Sequence, residues 1–505
     1  MISLKSLTPV NPLIILDVAN NHDGSLEHGF QIINDASEVA SRFDFRVGIK
    51  FQYRNLETFI HPDFKKRVDI KYVNRFLSTK LAWSDYEILK KEISNAGLIT
   101  ICTPFDEFSV DKVLEHKYDI LKIASASFTD WPLIESVSKW DGPIVASTAG
   151  ATLEEIERVA TFLSNRNKNF ALMHCVASYP TEDKDLQLMR ITKLKEKFKE
   201  VPIGYSTHES PDNTLAGALA LCHGAVILEK HIGSLENGHL INKYSINKSQ
   251  LTDWFYSLEK AIEMMGSLNP WSLSNVGEIE ALNGLRRYAY ANRNIHAGEI
   301  LDRDAVYFAI PGEHSGLTAN HFGKYSKFTA KSDIKQNQII QKDSMELDSN
   351  ESKILEIRNK VLQIVEKSGI QVPINSDLEI SHHYGIENFE KYGTCLITVI
   401  NRAYCKKLLI LLPGQCHPGM FHKQKDETFF LLFGDLNLKL DHEEVTIKEG
   451  GTVLIEPGVI HEFSSKNGAI VEEVSSTHLP GDSFYEDDAI NTNKNRKTIV
   501  KYWLS

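Results

Sequence analysis

Val226-Ile227-Leu228-Glu229-Lys230-His231-Ile232 is an apolar run closed by a carboxylate, an ammonium and an imidazole, and seven earlier stretches follow the same plan. They are 13–19 (LIILDVA), 45–52 (FRVGIKFQ), 98–105 (LITICTPF), 120–125 (ILKIAS), 143–148 (PIVAST), 170–176 (FALMHCV) and 202–207 (PIGYST), each followed by a stretch of helical character. Buried parallel strands read as near-continuous apolar runs, and their alternation with helical segments implies βαβ units. Eight such units predict a (β/α)8 barrel, an α/β fold whose active site gathers at the C-terminal ends of the strands. The residues closing the runs are therefore the informative ones, among them Asp17, Lys50, Gln52, Thr103, Lys122, Ser125, Ser147, His174, Tyr179, Ser206, His208, Glu229 and His231. Any one of them alone would pass for a loop residue or a helix cap. Their recurrence at all eight ends singles them out.

At 505 residues and 42% hydrophobic, the chain exceeds a single core and divides into two or three domains. A net charge of −11 argues against a nucleic-acid or acidic-membrane surface, so an anionic ligand needs a local cluster of cations. Six scattered cysteines, without a C-x-x-C pair, read as buried reduced thiols of a cytoplasmic protein. No apolar segment approaches the ~20 residues that span a bilayer. Asp17 follows too soon after the first apolar residues for a signal-peptide pattern.

The barrel pattern occupies residues 1–268 and ends in a helical stretch at 249–265, with 266–277 as a connector. Residues 283–348 change to short alternating segments containing two similar phrases, 294–301 (NIHAGEIL) and 333–340 (DIKQNQII). A linker helix is expected at 350–370, then an all-β domain at 371–485 with turn signals at Pro413-Gly414, Gly434-Asp435 and Pro457-Gly458. Residues 486–505 read as a polar tail, mobile over 486–497, although Tyr502-Trp503-Leu504 has the character of a docking segment.

Two ammonium groups, Lys50 and Lys122, and the hydroxyls of Thr103, Ser125, Ser147 and Ser206 suit a compact trianion bearing phosphate and carboxylate, because charge-assisted hydrogen bonds are the strong ones. His208 and His231 close adjacent strands, and two imidazoles on one rim hold a divalent cation while leaving positions for substrate and water. Together they suggest an electrophile activated beside a phosphorylated nucleophile.

These residues carry a resemblance to the N-acetylneuraminate (sialic acid) synthase family of phosphoenolpyruvate-condensing enzymes. The family's A-E-x-G-x-N-H-x-G is similar to Leu16-Asp17-Val18-Ala19-Asn20-Asn21-His22-Asp23-Gly24, and its K-F-Q to Lys50-Phe51-Gln52. Its S-T-P-F, K-I-x-S, H-C-x-x-x-Y-P, G-Y-S-D-H and I-E-K-H resemble the phrases at 102–105, 122–125, 174–180, 204–208 and 228–231. S-T-G-x-A-T-L-E-E-I is matched from Ser147 to Ile156. Arg286-Arg287 and Pro311-Gly312, flanked by the two repeats, resemble the family's small antifreeze-like (SAF) domain. In the family that domain covers the barrel mouth of a partner subunit, which implies a domain-swapped homodimer.

The resemblance implies condensation of phosphoenolpyruvate with an open-chain aldose and release of phosphate. It assigns Lys50, Thr103, Lys122, Ser125, Ser147 and Ser206 to phosphoenolpyruvate, and His208 and His231 to Mn2+, with Mg2+ or Co2+ as alternatives. Gln52 and Tyr179 face the acceptor, and Asp17 is the acid/base or water-orienting carboxylate. The departures lie mostly on the acceptor side. The strand-one Glu is Asp17, K-I-x-S-x-E ends in Ser127, and the Asn of H-C-x-N-x-Y-P is Ala177. The family's G-P-D-H has become Leu240-Ile241-Asn242-Lys243, and the Arg that reaches a sugar N-acetyl group is Ile310. An acceptor other than N-acetylmannosamine is expected.

Gly414-x5-Met420-x-His422-x4-Glu427-x6-Gly434 and Gly450-x5-Glu456-Pro457-Gly458-x2-His461 resemble the two motifs of a cupin β-barrel. His422, Glu427 and His461 form a three-ligand set for a second metal, with Met420 at the usual first ligand position and His417 nearby. The phrases around Tyr404–Lys407 and Glu427–Phe429 are similar to metal-dependent sugar isomerases of the lyxose type. Three alternatives stay open: a bifunctional isomerase–synthase, a structural or sugar-sensing cupin, and a non-catalytic sugar-binding scaffold.

Overall fold

The eight apolar runs form eight parallel strands, β1 (Leu13–Asp17), β2 (Arg46–Tyr53), β3 (Ile99–Pro104), β4 (Ile120–Ile123), β5 (Ile144–Ser147), β6 (Phe170–Cys175), β7 (Ile203–Ser206) and β8 (Ile227–His231), closed into a barrel by pairing of β8 with β1. The description is of a computed structural model covering residues 3–67, 69–267, 276–323 and 326–504. The chain divides into the units Met1–Ser272 and Leu273–Ser505. Of the connector read at 266–277, residues 268–275 lie outside the described residues.

Side chains alternate across a strand, so each barrel strand has one inward and one outward set. Ile14, Leu16, Ile49, Phe51, Leu121, Ile144 and Leu172 join the core beneath the helices. Leu13, Ile15, Ile101, Ile120, Val145, Met173 and Ile227 make a separate cluster inside the barrel, with Leu4 and Leu7 of the N-terminal segment. One two-residue step further along the inward set the strands read Asp17, Thr103, Lys122, Ser147, Cys175 and Glu229. The apolar plug thus becomes a polar floor within one repeat of the pleat. Gly204 belongs to the tight part of this interior: a Cβ there would meet Met173 Sδ at 2.1 Å and the Ile227 carbonyl at 2.7 Å.

In the second unit, β9 (Tyr288–Ala291) pairs with β10 (Val306–Ala309), and β11 (Ser326–Ala330) with β12 (Met345–Ser349). The two similar phrases meet through reciprocal 2.9 Å backbone hydrogen bonds between Ile295 and Ile334. A helix, Asn350–Ser368, is capped by the Ser349 side chain and ended by Gly369 in the left-handed conformation (φ +68°). It packs Ile357 and Val361 against Leu378, Ile380, Ile397, Leu408 and Ile410.

An antiparallel sheet follows, made of β13 (Leu378–His382), β14 (Gly393–Asn401), β15 (Tyr404–Leu411), β16 (Cys416–Phe421), β17 (Glu427–Leu440), β18 (Glu443–Lys448), β19 (Thr452–Ile455), β20 (His461–Ser464), β21 (Ala469–Ser476), β22 (Phe484–Tyr485) and β23 (Lys497–Val500). Its order is β22-β16-β20-β17-β21-β15-β14-β13-β23, with β18 and β19 on β17, and it curls as a cupin barrel does.

Two expectations are corrected. Residues 486–497 are not a loose tail: a helix at Asp488–Thr492 is followed by β23, which pairs with β13, and Trp503 docks as its character suggested, 1% exposed with its indole N–H donating to the Ser376 carbonyl at 2.9 Å. Backbone pairing on an edge asks little of side-chain polarity, which is why composition misled. Nor are all cysteines buried, since Cys222 is exposed and Cys416 intermediate, although all six are free thiols. Among the described residues no helix is long and apolar enough to cross a membrane.

Candidate active site

Strand register brings the barrel residues together. Asp17 is paired with Lys50 on one side and His231 on the other, and Ser206 lies beside Glu229. They open on a cavity of about 480 Å3 that Gln52, Thr103, Lys122, Ser125, Ser147, Tyr179 and His208 also line. Every barrel residue singled out from sequence as a substrate or metal contact therefore faces one space.

The floor is a buried ionic network. Lys50 Nζ lies 2.9 Å from Asp17 and 3.1 Å from Glu229, and Lys122 Nζ lies 2.7 Å from Glu229. Ser206 Oγ donates to Glu229 at 3.1 Å, while Asp17 accepts from Gln52 Nε2 at 3.0 Å and from the Ala19 backbone N–H at 3.0 Å. Burial alone would push the Glu229 carboxyl up, but Lys122 and Lys50 outweigh it and hold the group well below the usual range. Asp17 is lowered in the same way, burial being opposed by Lys50 and His231. The two lysines part company. Burial acts on both, yet Lys50 has two carboxylates and is raised, whereas Lys122 has one, feels Lys50 as a like charge, and is lowered.

Opposite β1, the hydroxyls of β3 to β7 face the same space. Among the described residues Thr103 Oγ1 and Ser147 Oγ are buried without a hydrogen-bond partner, an arrangement that suits a ligand acceptor. Ser125 Oγ accepts from the Ala149 N–H at 3.2 Å and keeps its own hydrogen to donate.

His208 and His231 have ring centroids 5.2 Å apart. Burial lowers His231 and brings His208 down to about 3, so both are neutral imidazoles, the ligating form. His208 Nδ1 lies 2.9 Å from the Val176 carbonyl, which assigns it the proton and leaves Nε2 as an electron-pair donor. His231 Nδ1 has no hydrogen-bond partner among the described residues and stands 3.5 Å from Asp17 Oδ2. Two neutral imidazoles beside a carboxylate fit a divalent cation. Tyr179 and Tyr244 flank them, at 4.4 Å from His208 and 5.1 Å from His231.

Sequence reasoning missed part of the mouth. Glu229 had no assigned role, and Arg54, Lys71, Arg75 and Tyr244 were not identified as lining residues. Arg54 is one turn of pleat past Gln52, so only the strand's length signalled it. Lys71 and Arg75 sit on a short helix, Lys71–Ser78, inside the long crossover after β2.

In the second unit, His422, Glu427 and His461 meet. The Nε2 atoms of both histidines face Glu427, at 3.3 and 3.4 Å. Their Nδ1 atoms are turned to the carbonyls of Asp482 and Val459. Met420 and His417 line the same small cavity, His417 stacked on Phe463 at 4.3 Å. Lys425, absent from the sequence reading, forms ion pairs with Glu427 and, at 2.7 Å, with Glu473. The donor set suits a divalent cation, and the ammonium already offsets its carboxylate.

Residues 39–269 match the NeuB family and residues 407–472 the cupin domain. A crystal structure of a spore coat polysaccharide biosynthesis protein E from Chromobacterium violaceum is 44% identical and covers 66% of this chain and 100% of that one, with a TM-score of 0.65. The N,N'-diacetyllegionaminic acid synthase of Campylobacter jejuni is 25% identical over 340 residues, 65% of this chain and 98% of its own length. The spore coat polysaccharide biosynthesis protein SpsE of Bacillus subtilis is 29% identical over 325 residues, 59% and 84% of the two chains. With this agreement of sequence and barrel architecture, the chain belongs to the NeuB family and carries a cupin domain after its barrel.

Proposed function

We propose that the barrel condenses phosphoenolpyruvate with an aldose to give a 2-keto-3-deoxy sugar acid and inorganic phosphate. The observation that carries the reading is the pairing of a cation-and-hydroxyl pocket, Lys122 with the unpartnered Thr103 and Ser147, with two neutral imidazoles across the same cavity. Relatives named as synthases of sialic, legionaminic and pseudaminic acids support it.

In this reading Thr103, Ser125 and Ser147 donate to the phosphate and carboxylate oxygens, and Lys122 and Lys50 offset their charge. The C3 carbon of phosphoenolpyruvate bonds to the aldehyde carbon, whose oxygen takes a proton. Water adds at C2, and loss of phosphate from that carbon leaves the ketone. Asp17, held by Lys50, Gln52 and the Ala19 N–H, is placed to orient that water and accept its proton. A divalent cation held by His208 and His231, Mn2+ foremost, would supply Lewis-acid polarisation of the aldehyde. The losses at Asp17, Ser127, Ala177, 240–243 and Ile310 support an acceptor other than N-acetylmannosamine.

The test is phosphate release from phosphoenolpyruvate with Mn2+ across aldoses and 2-acetamido sugars, with His231→Ala as blank. Release that the variant abolishes supports the reading, and efficient turnover of N-acetylmannosamine overturns the acceptor assignment. A second activity, ketose–aldose exchange in the cupin, draws support from the His422/Glu427/His461 cluster. Exchange without phosphoenolpyruvate tests it. Homodimer assembly belongs to the same family reading and is checked by light scattering.

A further inference from the structure

Behind the two imidazoles, on the outer side of the barrel wall, lies a buried ion pair that the condensation chemistry does not touch. Glu209 follows His208 in the chain, and Lys230 precedes His231. Lys230 Nζ donates to Glu209 Oε1 at 2.6 Å, and both side chains are fully buried. Side chains alternate along β8, so Glu229 and His231 line the cavity while Lys230 points away from it. There its ammonium lies 5.9 Å from the ring centroid of Trp254, on the helix Lys248–Met265. Ser206 is paired with Glu229, which makes Thr207 the outward neighbour of Lys230. The family phrase G-Y-S-D-H has Asp at that position and this chain has the neutral Thr207, so the carboxylate that meets Lys230 is supplied by the residue after His208.

Such a pair is a poor device for stability and a good one for placement. Taking two charges out of water costs about as much as their attraction returns, and apolar residues of similar volume often serve stability equally well. Glu209 Oε2 is, in addition, buried without a hydrogen-bond partner among the described residues. What the pair fixes is geometry. Backbone pairing of β7 with β8 runs as far as the Thr207 N–H, which donates to the Glu229 carbonyl at 3.0 Å, one residue short of His208. Beyond that bond the Glu209–Lys230 contact joins the two strand ends. The outer sides of both histidines are held as well, the His208 carbonyl accepting from the Thr181 N–H and the His231 carbonyl from the Ile246 N–H, each at 2.9 Å. The His208 ring is oriented by the Val176 carbonyl, whereas His231 Nδ1 has no such partner among the described residues, so its place depends on where the backbone carries it.

We propose, resting on the assignment of His208 and His231 to a divalent cation, that Glu209 and Lys230 are positioning residues: their buried ion pair sets the separation of the two imidazoles and thereby the affinity of the barrel for the metal. Neither side chain touches substrate or cation.

The experiment titrates the full chain with Mn2+ and follows the unbound ion by the electron paramagnetic resonance signal of free aqueous Mn2+. Binding that His208→Ala abolishes is assigned to the barrel, which sets aside metal held by the cupin cluster. Two variants probe the pair. Lys230→Met/Glu209→Gln removes both charges at nearly constant volume and leaves no lone buried charge. Glu209→Asp keeps both charges and draws the carboxylate back by one methylene. The barrel's Mn2+ affinity should fall by about 10- to 100-fold in each, the scale of loss for groups that orient metal ligands from behind. The double variant should melt close to wild type, because a charge-free replacement leaves nothing unpaired.

Wild-type Mn2+ affinity in the double variant overturns the proposal while leaving the metal assignment intact. So does a loss of affinity that only accompanies a fall in melting temperature, which marks a purely structural role. Equal Mn2+ binding by wild type and His208→Ala overturns the metal assignment and the proposal with it.

Discussion

Replacing Glu229 by Gln keeps its shape and removes one charge from the barrel floor. Lys50 retains Asp17 at 2.9 Å, whereas Lys122 loses the one carboxylate it pairs with among the described residues, 2.7 Å away. Breaking a buried pair from one side costs about 3–5 kcal/mol. A second route gives a similar ceiling: Lys122 can escape by shedding its proton, and holding a group of ordinary pKa about 10.4 neutral at pH 7 costs roughly 4–5 kcal/mol. At about 2–4 °C per kcal/mol for a domain this size, the barrel transition should fall by roughly 6–20 °C. In the proposed reading phosphoenolpyruvate would supply anionic oxygens to the unpaired ammonium, so it should raise the melting temperature of Glu229→Gln by more than that of wild type. Scanning calorimetry of both proteins, with and without the ligand, measures this, and Glu229→Gln/Lys122→Met provides the double-mutant cycle. A barrel transition within about 2 °C of wild type, or a smaller ligand effect in the variant, would refute the role of Glu229 as the counter-charge of Lys122.

His22 lies beside the rings of Phe51 and Tyr86, and burial lowers it to about 4. The unfolded state takes up a proton near pH 6.5 that the native state refuses until about 4. Stability therefore falls with decreasing pH across that window by about 1.4 kcal/mol per unit, and His22→Gln should remove this share of the slope in urea titrations at pH 7, 6 and 5. Lys425→Met strips Glu427 and Glu473 of a shared ammonium and should cost the cupin about 3–5 kcal/mol. Added Mn2+ or Co2+ should restore much of that loss, and unchanged stability with metal would count against the His422/Glu427/His461 site. Trp503→Ala empties a buried site next to β23, with an expected loss of about 3–5 kcal/mol confined to the second unit's calorimetric transition.

The barrel was legible because its strands are buried on both faces and so announce themselves as apolar runs, with chemistry confined to their last residues. Asp17, Lys50, Lys122 and His231 could be placed on one rim from strand order alone. Their mutual pairing could not, since the Lys122–Glu229 contact joins β4 to β8 across the barrel. Arg54 and Arg75 escaped notice for a different reason: a cation in a long crossover carries no periodic signal until the loop is folded over the mouth. Lys425 was hidden likewise, because its partner Glu473 arrives from β21, which lies beside β17 only once the sheet has formed. The C-terminal residues were misread because an edge strand is stabilised mainly through its backbone, and β23 gains its place from hydrogen bonds to β13 and from Trp503 below it.

Barrel closure by β1 and β8 places the seam of the fold inside the site. Asp17 and His231 face each other across that seam, and Asn21 of the first loop donates to the Ile232 carbonyl, 211 positions away, at 2.7 Å. Such distant pairing is expected late in folding, after the local βαβ units have formed. A chain recovering from denaturant should then regain its helical signal before it can recognise a ligand, and a barrel caught with the seam open should be inert, not weakly active. Ligand recognition thereby reports on completion of the last strand.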